Sequence, residues 1–145
     1  MPSRARKHAV AAACALALVA GGCGGSGYKH DLGSAESQFN KGVKGAVAKI
    51  RAASTKQEYV AGVRNFQRTI TTLEGRLRKL DPPARTRAAQ ARLLSALDTL
   101  WHDLGAVLRA VDSGDVDRIR GLQTRYLRDL RAVQAAGKDL HERAG

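Results

Sequence analysis

The chain has 145 residues, a formal net charge of +12 and 43% apolar residues. Such a length accommodates one domain with a core of its own and is too short for two, and two cysteines exclude a disulfide-stapled scaffold or a cysteine-built metal site. The excess of Lys and Arg points to acidic partners or surfaces and says nothing about the fold.

The first residues fall into three parts. Met1 to His8 carries Arg4, Arg6 and Lys7 and no acid, Ala9 to Ala20 is apolar throughout, and Gly21, Gly22 and Cys23 follow. A basic start, an apolar middle and a small-residue end make up the layout of a secretory signal. The apolar run falls short of the ~20 residues that a spanning helix needs, and no later window is apolar enough to span. The stretch Val19-Ala20-Gly21-Gly22-Cys23 resembles the lipobox of bacterial lipoproteins, with Ala20 standing where leucine is usual. That resemblance implies acylation of the Cys23 sulfur, removal of residues 1–22, and anchoring of the mature chain to membrane lipid on the outer face of a bacterial membrane. Two acyl chains on one residue provide the double signal that stable anchoring requires. Cys14 would leave with the signal and Cys23 would be lipidated, so no thiol would remain for redox or metal chemistry.

Residues 23–33 follow as the lipidated cysteine and a tether, since "GGSGYKHDLG" is rich in glycine and lacks an apolar period. From residue 34 to 145 the composition turns helical, dominated by alanine, leucine and arginine. A first, shorter helix is expected over 34–53, capped by Ser34, with Phe39, Val43, Ala46, Val47 and Ile50 on one side. Gly42 and Gly45 either weaken it or permit close contact with another helix.

A second helix is expected over 55–80. Ser54 with Gln57, or Thr55 with Glu58, offers a capping box at its start. Tyr59, Val63, Phe66, Ile70, Leu73, Leu77 and Leu80 step by four and three, a coiled-coil-like stripe. "LDPPAR" ends it, because proline cannot continue a helix interior, and Asp81 is placed to cap the next helix.

The third helix is expected over 83–111, with Gln90, Leu94, Leu97, Trp101, Leu104, Leu108 and Val111 inward, widened by Leu93, Leu100 and Val107. "DSGD" stops it: Gly114 suits a left-handed cap and Asp115 the start of a fourth helix reaching Arg143. Val116, Ile119, Leu122, Tyr126, Leu127, Leu130, Val133 and Leu140 form that last stripe. The expected fold is all-α, an antiparallel up-and-down bundle of three long helices plus the shorter N-terminal one.

Candidates for chemistry are few. His102 with Asp98 reads as a solvated pair one turn apart, and Asp103 points elsewhere. His141 lies at a fraying helix end. The glutamates are Glu36, Glu58, Glu74 and Glu142, none followed by His three residues later as di-iron bundles require. No G-x-S-x-G elbow or phosphate loop occurs, and acids read as caps and outer charges. The expectation is therefore a protein without catalytic residues, cofactor or metal. Trp101 and Tyr126 read as core residues, or else as the two sides of a small-molecule site.

The basic excess remains. Lys41, Lys44, Arg64, Arg68, Arg118, Arg125 and Arg128 lie off the apolar stripes and form the candidate contact surface for an acidic envelope protein, a polymer or lipid headgroups. Nucleic acid is disfavoured because the signal exports the chain. The functional expectation is a membrane-anchored envelope lipoprotein with a non-enzymatic interaction or scaffolding module; the alternative is a ligand-binding or sensory bundle.

Overall fold

A computed structural model describes the backbone of residues 23–145 and the side chains from residue 27 onward. The expected signal segment, residues 1–22, and the Cys23 side chain lie outside the described residues. The described chain is helical and contains no strand. Its helices are α1 (Cys23–Ala52), α2 (Lys56–Lys79), α3 (Arg87–Ser113) and α4 (Val116–Ala144). Helix α1 packs on α2 and α4, and α3 packs on the same two; α1–α4 is the loosest of these pairings.

The helix boundaries follow local chemistry. Thr55 caps α2 through a complete box: the Glu58 N–H donates to Thr55 Oγ1 at 3.2 Å, and the Thr55 N–H donates to Glu58 Oε2 at 3.2 Å. Gly114 ends α3 with φ 71°, a left-handed conformation that glycine adopts without a Cβ penalty. Asp115 starts α4 by accepting the Arg118 N–H at 2.9 Å. Asp81 does not cap α3, and that helix begins at Arg87 rather than at residue 83. Pro82 and Pro83 hold the chain extended; a turn closed by the Thr86 N–H to Pro83 carbonyl bond, 2.8 Å, precedes the first helical residue.

Helix α1 corrects the expectation of a tether and a short first helix. It starts at Cys23 and runs for 30 residues, the longest of the four. Tyr28, Leu32, Ala35 and Phe39 carry the four-and-three rhythm back through the supposed linker, and all are buried. Each glycine in this stretch costs about 1 kcal/mol of helix propensity. Burying a large apolar side chain returns about 1.5–3 kcal/mol, so Tyr28 and Leu32 hold the segment helical despite Gly27 and Gly33.

The core is one continuous cluster, with Val63, Phe66, Ile70, Leu73 and Leu77 from α2 facing Leu93, Leu97, Leu100, Leu104 and Val107 from α3. Helix α3 is thus rotated from its expected setting. The residues taken as the widening of its stripe are central, whereas Leu94 and Leu108 are half-buried and Trp101 is 38% exposed. In α4, Tyr126, Val133 and Leu140 are buried, while Val116 and Leu127 face solvent, contrary to their place in the expected stripe. An apolar residue beside a stripe meets the core only where a neighbouring helix covers that side, and neither position is so covered.

Candidate functional site

The α1–α4 pairing is the loosest of the four, and a cleft of about 570 Å³ opens there. Its floor is apolar: Phe39 of α1, Leu73 of α2, Leu93 of α3 and Val133 of α4. Its rim is polar, with Glu36 and Asn40 on one side and Gln134, Lys138, His141 and Glu142 on the other. Gly137 also lines the rim beside Glu36, where an added Cβ would be in ordinary contact with Glu36 Oε1 at 3.7 Å.

Glu36 is the distinctive group. Its Oε2 meets His141 Nδ1 at 3.3 Å, whereas its Oε1 is buried without a hydrogen-bond partner. Burial pushes the Glu36 carboxyl above its ordinary range, and the adjacent His141 reverses this only in part. A buried oxygen left unpaired is costly, and a donor or a positive charge entering the cleft would satisfy it. The lining includes no serine, threonine or cysteine that a Glu–His pair could activate.

A second polar cluster bridges α3 and α4. Asp103 and Asp129 are both buried, and each carboxyl shifts the ionisation of the other. Arg125 Nε approaches Asp103 Oδ2 to 2.9 Å without forming an aligned hydrogen bond, and Arg128 Nε donates to Asp129 Oδ1 at 3.1 Å. Burial and then the contact with Asp129 push the Asp103 carboxyl up. The same contact, aided by Arg128, holds Asp129 down against its own burial. The two carboxyls are thus shifted in opposite directions, so that Asp129 holds its charge more readily than Asp103. Asp103 does point elsewhere than the exposed His102–Asp98 pair, and its burial with Asp129 corrects the expectation that the acids serve only as caps and outer-face charges. Sequence reasoning missed it because Asp129 falls three residues after Tyr126 and four before Val133, a core position that an acid rarely fills alone.

The residues singled out from sequence are dispersed. His102 and Asp98 form an exposed pair at 3.5 Å. Tyr126 is a core residue, its ring edge-on to Phe66 with centroids 6.5 Å apart. Trp101 instead borders a shallow groove on α2 with Arg64 and Arg68, and Tyr126 takes no part in its lining. The expected two-sided site at Trp101 and Tyr126 is therefore not assembled. Lys41 and Lys44 are exposed on α1, Arg118 on α4, and Arg125 and Arg128 are engaged by the acid pair. The seven cations are distributed over α1, α2 and α4. Among the described residues no three His, Cys, Asp or Glu side chains converge as a metal site would require, and no helix is long and apolar enough to cross a membrane.

Comparison with protein-family models, characterised proteins and solved structures finds no match to the chain.

Proposed function

We propose that this chain is an exported lipoprotein, anchored through acylated Cys23 to the outer face of a bacterial membrane, whose helices form a non-enzymatic interaction module. The N-terminal signal layout and the lipobox-like ending at Cys23 support the anchor. The observation that carries the reading is the succession of basic Met1–His8, apolar Ala9–Ala20 and Gly21-Gly22-Cys23; Tyr28, five residues after Cys23, is already buried in the bundle. An anchor at Cys23 would hold the bundle directly against the bilayer, with no linker between. The test is the mass of the N-terminal peptide of exported protein together with fractionation in high salt. The expected peptide begins at Cys23 and carries a diacylglyceryl group, and the parent chain stays with the membrane fraction in high salt. An unmodified Cys23, or a parent chain released by high salt, refutes the anchor.

We further propose that the bundle is antiparallel and up-and-down. Supporting contacts run in opposite directions along successive helices. Ile50 adjoins Gly62 while the earlier Gly42 adjoins the later Thr69. Gln67 meets Trp101 while Leu77 meets Gln90, and Asp103 meets Arg125 while Arg92 meets Asp139.

The unpaired Glu36 Oε1 favours a second reading, a small-molecule-binding bundle whose ligand is an amine with an apolar body held in the α1–α4 cleft. A thermal-shift series with linear alkylamines tests it. Stabilisation that grows with chain length and disappears in Glu36→Gln is expected; no shift with any amine refutes the reading.

A further inference from the structure

The end of α1 nearest Cys23 is enclosed by the connection between α2 and α3. The Tyr28 hydroxyl donates to Gln90 Oε1 at 2.7 Å, and Gln90 Nε2 donates to the Leu77 carbonyl at 2.9 Å. The chain from Arg76 to Arg87, "RLRKLDPPARTR", is thereby fixed beside the first turns of α1. It contains Arg76, Arg78, Lys79, Arg85 and Arg87 against one acid, Asp81. Arg78, Lys79, Arg85 and Arg87 are exposed, and none of these five cations is ion-paired among the described residues. Arg92, Arg125, Arg128 and Arg143, by contrast, each face an aspartate.

Cys23 stands five residues before Tyr28 on the same helix, which at 1.5 Å per residue is about 7.5 Å along the axis. That separation is comparable to the ~8 Å screening length at physiological salt. Lipid at Cys23 would therefore bring the turn's charges within electrostatic range of the headgroups. Pro82 and Pro83 make the turn compact, so the cations stay clustered.

We infer that the α2–α3 turn is the surface this protein sets against anionic phospholipid headgroups, with Arg78, Lys79 and Arg85 as its principal contacts. This inference rests on the anchor reading for its choice of partner. It differs from the candidate surface expected from sequence, because the turn's cations lie at the anchored end.

Vesicle binding tests it in the full chain carrying Cys23→Ser throughout, so that no acyl group contributes and residues 1–22 contribute equally to every variant. The turn variant is Arg78→Gln, Lys79→Gln, Arg85→Gln; the control is Lys49→Gln, Arg51→Gln, Arg118→Gln, with the same loss of charge at exposed positions remote from the turn. About fivefold in partition per basic residue near the surface predicts that the turn variant loses roughly a hundredfold on phosphatidylglycerol vesicles. The control loses less than about fivefold, and phosphatidylcholine vesicles do not distinguish the two. Equal losses in the two variants, no preference of the parent chain for phosphatidylglycerol, or equally turn-dependent binding to soluble polyglutamate overturns the inference. Because no acyl group is present, any of these failures leaves the anchor at Cys23 to be judged by the peptide mass alone.

Discussion

The Tyr28 hydroxyl donates a 2.7 Å hydrogen bond to Gln90 Oε1, tying the start of α1 to the start of α3. Gln90 is buried, and its amide spans onward to the last turn of α2. One side chain thus satisfies both of its polar ends while joining three helices. In a bundle held together chiefly by apolar stripes, this bond fixes where the first helix sits.

The segment that carries Tyr28 is therefore expected to contribute to global stability. Tyr28→Phe leaves Gln90 Oε1 without its donor and should cost about 1–3 kcal/mol. Leu32→Ala, at a fully buried position, should cost about 2–5 kcal/mol through lost burial and the cavity left behind. Urea unfolding followed by circular dichroism measures both. An unchanged midpoint in Leu32→Ala would return residues 24–33 to the status of a linker.

Helix glycines separate into two classes. A Cβ on Gly62 would lie 2.8 Å from Ile50 Cγ1 and 3.2 Å from the Ile50 backbone nitrogen. The neighbouring α1 backbone cannot withdraw as a flexible side chain would, so Gly62→Ala should destabilise by about 1–3 kcal/mol in spite of alanine's better helix propensity. Gly45 has no heavy atom within 4 Å of such a Cβ, and Gly45→Ala should stabilise by up to about 1 kcal/mol. Paired thermal melts check the signs; equal shifts in one direction would contradict the close approach of α1 and α2.

The buried acid pair makes stability depend on pH in a definite sense. Asp103 is raised on folding, so its contribution is fully present below its unfolded-state value and is lost as pH rises through its folded value. Asp129 is lowered, so its contribution is present above its unfolded value and is lost as pH falls through its folded value. Asp103→Asn imitates the protonated acid at every pH and keeps a donor for Asp129. The variant should be more stable than the parent at neutral pH, and the gap should narrow as the pH falls into the carboxylate range. Urea midpoints at a series of pH values measure this; a gap independent of pH would show that folding does not raise the Asp103 carboxyl.

What could be read from sequence alone was whatever neighbours in the chain decide. The capping box of Thr55 and Glu58, the left-handed Gly114 and the Asp115 cap each close within a few residues, so their chemistry is complete in the local sequence. The α2 stripe from Val63 to Leu77 was equally plain, since a four-and-three apolar rhythm leaves one face to bury. The all-helical class follows from these alone.

Tertiary structure decided what depends on the rotation and spacing of separate helices. Gly42, whose added Cβ would meet Thr69 Cγ2 at 2.5 Å, and Gly45, which meets nothing, have the same local propensity. Only the position of α2 distinguishes them. Trp101 and Leu100 are adjacent in sequence and similarly apolar, yet the neighbours of α3 cover Leu100 and leave Trp101 partly in water. Glu36 with His141, and Asp103 with Asp129, are brought together across helix pairs from distant points in the chain. Their burial and shifted ionisation arise from that meeting, because desolvation and hydrogen bonding act through space and leave no trace in the order of residues.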